Sequence, residues 1–447
     1  MAKILIYTAN VVGKSMAGPA IRCWEFAKAL SSSHEVILIT PTQADIDGQG
    51  FSLLAKHDPA VRQHLKSAHV MIAQGLTISM ALAAKRYGIK VIIDAYDPLP
   101  LELLELFKHS PAAIRQKRQL SAINHLIFNF KMADGIICAS EKQRDLWMGF
   151  LLGQKRIHPK LYDSDNSLRN LIDVVPFGLS SSSPVKNGPG LREKYGFQSD
   201  DKILLWGGGI WNWFDPLTLI RAIKLLSQQR SDVKLVFMGI KNPDPTVPDM
   251  AMCRDAIQLA KELELIDKSV FFNMGWVPYE ERHNSLLDAA VGVSTHFDHL
   301  ETRYSFRTRM LDYIWAQIPI LATTGDSFAE LIDQHQLGRV VPYQDEKALA
   351  NAIVDLIDHP AKLNQIKSNH QQLAPQFHWE TVVRPLHRMI AEFTSQPTSS
   401  FSFHDFQTLT NFVTAEVKEK GLQRSFQLLF NKLAKRLSLV SNKKAGV

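Results

Sequence analysis

Three arginines, Arg303, Arg307 and Arg309, precede a carboxylate, Asp312, in one short stretch of the chain. The spacing around them predicts a loop carrying Arg303, then a helix opened by Ser305 as N-cap, with Phe306, Met310, Leu311, Ile314 and Trp315 on its inner stripe. A buried strand over 320–322 and a turn over 323–327 into a second helix should follow. A strand end and two helix starts then converge. Helix N-termini offer unpaired N–H groups and a partial positive charge, so with the arginines this is a seat for a diphosphate. Asp312, behind it, can hold ribose hydroxyls. The competing reading is an amphipathic helix with a solvated arginine face.

Other strand ends carry chemistry of the same kind. Gly207, Gly208 and Gly209 follow an apolar run and precede Trp211 and Trp213; three glycines let the chain turn with its amides exposed, which suits a phosphate, while the tryptophans pack on a sugar or on the core. Gly239 and the Trp276-Val277 pair follow two further runs. Asp94 and Asp97 stand at the end of the 91–93 run, before Pro98. Two carboxylates there can orient a hydroxyl or accept its proton, or one of them can simply cap the helix that follows. Gly18 permits close approach of a loop to a ligand, and Arg22 is placed to face a cleft. Arg144, one turn beyond Ser140 as helix cap, reaches a cleft or forms a structural ion pair.

The run Asp312-Tyr-Ile-Trp-Ala316-Gln-Ile-Pro319-Ile-Leu-Ala322-Thr resembles the acidic residue, helix and strand of the retaining family-4 glycosyltransferases of the GT-B fold. That family's signature is two glutamates separated by seven residues; here the second is Asp312 and the first is replaced by Tyr304. The resemblance implies a donor site of Gly208, Gly209, Trp211, Gly239, Trp276, Val277, Tyr304, Ser305, Arg307, Arg309 and Asp312, with the Trp276 loop as a flat apolar wall for the base. It implies an acceptor side of Gly18, Arg22 and Arg144, with Tyr96 where family members often have histidine, so that Asp97, Tyr96 and Asp94 are the catalytic candidates. Many members carry an arginine and a lysine in the Gly207–Gly209 loop for the diphosphate. This chain has neither, and Arg303, Arg307 and Arg309 are the candidates to compensate.

The activity implied is metal-independent transfer, with retention, from a nucleotide sugar to a glycan or lipid-linked acceptor in cell-surface polysaccharide biosynthesis. A catalytically inactive nucleotide-sugar-binding protein and a sugar-nucleotide epimerase are the alternatives. Two local patterns carry no such weight. Gly13-Lys14-Ser15 lacks the glycine five residues earlier that a P-loop requires, that position being Thr8. Asp163 and Asp165 sit in a polar stretch with no strand leading in, so a surface loop is expected, as it is for His296, Asp298 and His299.

The elements that must position these residues alternate in kind. Apolar runs at 4–7, 36–39, 70–73, 91–93, 136–139 and 174–175, separated by helical-period stretches, resume at 203–206, 235–238, 270–272, 291–294, 320–322 and 339–341. That rhythm predicts two doubly wound, Rossmann-like α/β domains in tandem. We expect a first, acceptor-binding domain over 1–179, a nucleotide-sugar-binding domain over 185–375, a helix over 376–395 that the resemblance returns to the first domain, and a linker and tail over 396–447. At 447 residues and 45% hydrophobic, the chain can bury two cores.

Three scattered cysteines argue against a disulfide framework. No run suits a signal peptide or a membrane span, so a cytoplasmic protein is expected, peripheral on the inner face of the plasma membrane if its tail binds there. Of the net charge of +7, the segment from Glu416 carries +6, with Lys418, Lys420, Arg424, Lys432, Lys435, Arg436, Lys443 and Lys444 against Glu416 and Glu419. Its stripe Leu422, Phe426, Leu429, Leu433, Leu437 and Val440 predicts a basic amphipathic helix. Such a helix suits an anionic membrane or docks on the protein's own core; nucleic acid is not expected as a partner.

Overall fold

In the computed structural model the chain forms two parallel sheets. The description covers residues 1–420 except Lys241, Pro245, Thr246, Pro248 and 397–401, so the expected tail helix lies outside the described residues. The first sheet holds β1 (Lys3–Tyr7), β2 (Glu35–Thr40), β3 (Ser52–Ala55), β4 (Val70–Ala73), β5 (Lys90–Asp94), β6 (Gly135–Cys138) and β7 (Ile172–Val174), in the order β3-β2-β1-β4-β5-β6-β7. The second holds β8 (Lys202–Trp206), β9 (Val233–Phe237), β10 (Val270–Phe272), β11 (Val291–Ser294), β12 (Ile320–Thr323) and β13 (Gly338–Val341), in the order β10-β9-β8-β11-β12-β13.

Helices cover the sheets, so the central strands are buried on both faces and read as continuous Val/Ile/Leu runs. β3 was not expected. It is a half-exposed edge strand whose apolar residues are only Leu53, Leu54 and Ala55.

In each sheet the strand order reverses beside the first strand, between β1 and β4 and between β8 and β11. Open α/β sheets bind ligands outside the carboxyl ends of the strands at such a switch point. Here the two switch points face one another. The chain crosses between the domains twice, and the crossings are tied together: the Leu179 N–H donates to the Phe377 carbonyl at 2.8 Å and the Trp379 N–H to the Leu179 carbonyl at 3.1 Å. The helix Arg384–Ser395 then lies on the first sheet, with Met389 and Phe393 packed against Gly135 of β6. A last described helix, Phe403–Lys420, follows the first domain's helix Ala112–Met132, with Phe412 stacked on Phe128 at 4.4 Å and Lys85 paired to Asp405 at 3.2 Å.

The Arg303–Asp312 stretch departs from its expected form. A short helix, Leu300–Tyr304, is capped by His299 and closed at Ser305; after an extended link, a second helix runs Arg309–Trp315. Ser305 is thus a C-cap, not an N-cap. The cause is Arg307, which reaches back to grip Glu301 with both terminal nitrogens, at 2.8 and 2.7 Å. On a continuous helix two residues six apart point about 120° away from each other around the axis and could not meet; the break lets them do so.

Candidate active site

A cleft of about 670 Å³ lies between the domains at the two switch points. Its second-domain wall begins at the end of β8. Gly208 turns there with φ +85, which only glycine adopts without strain. The Gly207 N–H donates to the Tyr313 hydroxyl at 2.8 Å, and that hydroxyl can donate onward to the Leu205 or Val293 carbonyl, at 2.9 and 3.0 Å. Tyr313 reaches this point by lying flat on Gly292 of β11, where any Cβ would stand 2.4 Å from its ring. A glycine inside a buried strand is therefore part of what holds the Gly207–Gly209 loop in shape.

Beneath the loop, Arg309 donates from Nη2 to the Gly209 carbonyl at 2.9 Å and lies over the Trp206 and Phe214 rings, at 4.7 and 4.2 Å. It is only 8% exposed, its Nη1 has no partner, and no carboxylate pairs with it among the described residues. Burial pushes its pKa down to about 10, Tyr313 opposing and the like charge of Arg307 adding to the effect. An anion in the cleft would relieve this cation. Arg307 borders the cleft too, but both its terminal nitrogens are spent on Glu301; Arg303 is exposed and outside it. Of the three arginines, only Arg309 borders the cleft with a terminal nitrogen left without a partner among the described residues.

Asp312 stands at the cleft edge. Its Oδ1 accepts from Arg282 Nε at 3.0 Å, and Arg282 is itself clamped, stacked on Tyr279 and Trp315 at 3.9 and 4.8 Å and donating to the Tyr279 carbonyl at 2.7 Å. Trp276 and Val277 border the cleft. The Trp276 ring rests on Gly209 and Gly239, and its Nε1 donates across the domain boundary to the Met16 carbonyl at 3.1 Å. Trp211 and Trp213 stack with centroids 5.1 Å apart and both border the cleft, Trp213 buried and Trp211 half-buried.

The first-domain wall corrects several expectations. Asp94 is not a free base: Arg22 Nε and Nη2 hold its two oxygens at 2.7 and 2.9 Å. Arg22 does not face the cleft either. It is fully buried, and its remaining bonds go to the carbonyls of Val175 and Pro176. Arg144 likewise turns inward, to the Ile172 and Ser167 carbonyls. Each of these arginines has a chain segment of bare carbonyls to satisfy, and that demand outweighs solvation at the cleft. Tyr304 lies outside the cleft, its carbonyl accepting from Gln143 Nε2 at 2.9 Å.

Asp97 remains available. It is half-buried at the cleft wall, and burial first, then the charge of Asp94, pushes its carboxyl up to about 7. Tyr96 beside it is buried, its phenol pushed well above the usual range by burial and then by Asp97, so it stays neutral and keeps a proton to donate. Gly18 packs against that phenol, where a Cβ would stand 3.3 Å from the oxygen.

Three participants were not visible in the sequence. Glu102 borders the cleft with its carboxyl pushed well above the carboxylate range by burial, then by Asp97 and Glu301. Arg282 sits in a charged Glu280-Glu281-Arg282-His283 run that reads as solvated surface. Gln143, fully buried, donates to the Tyr96 carbonyl at 2.6 Å as well as to that of Tyr304, tying the Asp97 loop to the second domain. The only available signal was its place in the first turn after the Ser140 cap. His296, expected in solvent, is fully buried, since its N–H is held by Thr323 and its Nε2 by the Thr324 carbonyl. Asp165 closes a surface turn through Ser167 and Asn170. Among the described residues no three His, Cys, Asp or Glu side chains converge as metal ligands.

Residues 201–359 match the family model described as Glycosyl transferases group 1. No curated protein matches the chain. Among solved structures the chain is similar to sucrose-phosphate synthase from Thermosynechococcus elongatus, at 17% identity and TM-score 0.62, covering 88% of this chain and 99% of that one. It is similar to HepE from Anabaena in complex with UDP-glucose, at 16% identity and TM-score 0.58, covering 88% and 100%. It is also similar to WaaG, a glycosyltransferase involved in lipopolysaccharide biosynthesis, at 15% identity and TM-score 0.57, covering 88% and 100%. Both domains are thus arranged as in the GT-B fold.

Proposed function

We propose that the protein is a glycosyltransferase that binds a nucleotide sugar on its second domain and transfers the sugar, with retention and without a metal ion, to a glycan or lipid-linked acceptor on its first. The observation that carries this reading is Arg309, a buried cation without a counterion among the described residues, lying under the Gly207–Gly209 loop and across the cleft from Asp97. The loop amides and Arg309 stabilise the departing diphosphate, the main electrostatic requirement of the transition state. Asp312, steadied by Arg282, holds the ribose hydroxyls, and Trp276 with Val277 forms the wall for the base.

As the bond from the anomeric carbon to the phosphate oxygen breaks, the acceptor oxygen bonds to the same face of that carbon. Its proton passes to the leaving phosphate, with Asp97 orienting the hydroxyl and Tyr96 donating a hydrogen bond. The role we assign is in cell-surface polysaccharide or lipid-linked glycan synthesis at the inner face of the plasma membrane. Support comes from the family model, from HepE, whose structure contains UDP-glucose, and from WaaG, which is involved in lipopolysaccharide biosynthesis.

Incubating the protein with each common sugar nucleotide, in the presence of chelator, should release free nucleoside diphosphate slowly, and proton NMR should show the anomeric configuration kept in any transfer product. Binding without release under any acceptor would favour an inactive nucleotide-sugar-binding protein. One observation favours that second reading: Tyr304, in the place of the family's first glutamate, lies outside the cleft.

A further inference from the structure

The loop that carries Asp97 is held by one helix, Glu141–Gly153. Two side chains a turn apart on its inner face take successive carbonyls of that loop: Trp147 Nε1 donates to Ala95 at 3.0 Å and Gln143 Nε2 to Tyr96 at 2.6 Å. The Trp147 bond stays within the first domain. Gln143 stands three residues after Ser140, at the spacing of a capping box, and its Oε1 accepts from the Ala139 N–H at 2.8 Å. An ordinary capping glutamine leaves its NH2 group in water. This one is fully buried, and its second amide hydrogen goes to the Tyr304 carbonyl of the other domain, at 2.9 Å.

Tyr304 closes the short helix Leu300–Tyr304, so its carbonyl has no partner inside that helix. The grip of Arg307 on Glu301 fixes this helix to the donor side of the cleft, and the link from Ser305 to Thr308 lines the cleft just ahead of Arg309. Beside Gln143, Lys142 reaches Glu330 across the same boundary at 2.6 Å, but that pair is open to solvent and holds weakly. Three bonds fix the plane of the Gln143 amide. If the second domain draws away, the Tyr304 bond is lost and water takes its place. The Tyr96 carbonyl is then held by an amide that is free to rotate.

We propose that Gln143 is a positioning residue, which sets the Asp97 loop for the acceptor only while the second domain is docked, so that a nucleotide bound on one domain is felt on the acceptor side of the other. The path runs from Arg309 through the Arg307–Glu301 pair and the Tyr304 carbonyl to the Tyr96–Asp97 peptide, with Gln143 as its step across the boundary. The inference rests on the glycosyltransferase reading for its ligand, but not for the joint itself.

The test is hydrogen exchange of the full chain, read by mass spectrometry without ligand and with UDP, GDP or TDP, alongside melting curves. In wild type a bound nucleoside diphosphate should slow exchange at 95–97 by roughly three- to tenfold, the worth of one hydrogen bond. Gln143→Glu keeps the oxygen that meets Ala139 but has at most one proton to give, so it cannot hold both carbonyls. It should exchange faster without ligand on both sides of the joint, at 95–97 and at 301–308, and should show no slowing at 95–97 when nucleotide binds. Gln143→Asn, one carbon shorter and without a charge to bury, should do the same and carries the test if the glutamate variant melts early. Trp147→Phe, which frees the Ala95 carbonyl within the first domain, should speed exchange at 95–97 yet keep its slowing by nucleotide. Nucleotide bound to wild type with exchange at 95–97 unchanged overturns the proposal. So does slowing of wild-type size in both Gln143 variants. If none of the three nucleotides binds, the reading of the cleft as a donor site fails instead, and the joint is decided without ligand: faster exchange confined to 95–97 in both Gln143 variants overturns it.

Discussion

Arg309→Met removes a charge and keeps an unbranched apolar side chain over Trp206 and Phe214. Two effects on the unliganded protein oppose each other. A guanidinium titrating near 10 rather than 12.5 is about 3 kcal/mol worse off charged than in water, and the substitution removes that penalty. It also removes a charged hydrogen bond to the Gly209 carbonyl, of about 1.5–3 kcal/mol. That carbonyl still accepts from Trp206 Nε1 at 3.3 Å, so it is not left unsatisfied. The stability of the unliganded variant should therefore lie within about 1 kcal/mol of wild type.

Nucleoside diphosphate affinity should fall much further. Loss of a charge-assisted contact of about 1.5–3 kcal/mol weakens binding roughly 10- to 150-fold. Titration calorimetry with UDP, GDP and TDP, alongside melting curves without ligand, separates the two quantities. Arg307→Met is the internal contrast: it strands Glu301, which is buried, and should cost about 3–5 kcal/mol of stability. A diphosphate affinity for Arg309→Met within about threefold of wild type, or a loss matched by early melting, would refute the assignment of Arg309 to the phosphates.

Asp312→Ala should weaken nucleotide binding while barely moving the melting midpoint, because its pair with Arg282 is partly solvated; calorimetry should show Arg282→Ala reproducing the loss if Arg282 works by steadying Asp312. Asp97 has its carboxyl raised in the fold, so its ionisation opposes folding: stability declines as pH rises from the unfolded value of 3.8 toward about 7, and the penalty is complete above that. Asp97→Asn should therefore raise the melting midpoint at pH 8 more than at pH 5, and should abolish a rise in transfer rate centred near pH 7. Arg22→Met should destabilise by about 3–5 kcal/mol in urea titration by leaving Asp94 buried and unpaired, and adding Asp94→Leu should recover most of that loss.

Every strand expected from the sequence is present within two residues of its predicted bounds, because a strand buried on both faces must be apolar along its length and so announces itself locally. The glycine loops and the Asp97 loop were legible for a related reason: a chain that ends a buried strand and turns toward a ligand needs particular residues at that point. The partners of the charges were not legible. Arg307 and Arg309 stand two residues apart with the same chemistry, yet one is neutralised by Glu301 and the other has no counterion among the described residues. Arg22 reaches Asp94, 72 residues away, and the sequence gives both to the cleft.

Local periodicity follows from the residues nearest in the chain, and burial writes it into each element. Which carboxylate or carbonyl meets a long cationic side chain depends instead on sheet order, on where a helix breaks and on which carbonyls a neighbouring segment leaves bare, and these come into being only when distant segments are packed together.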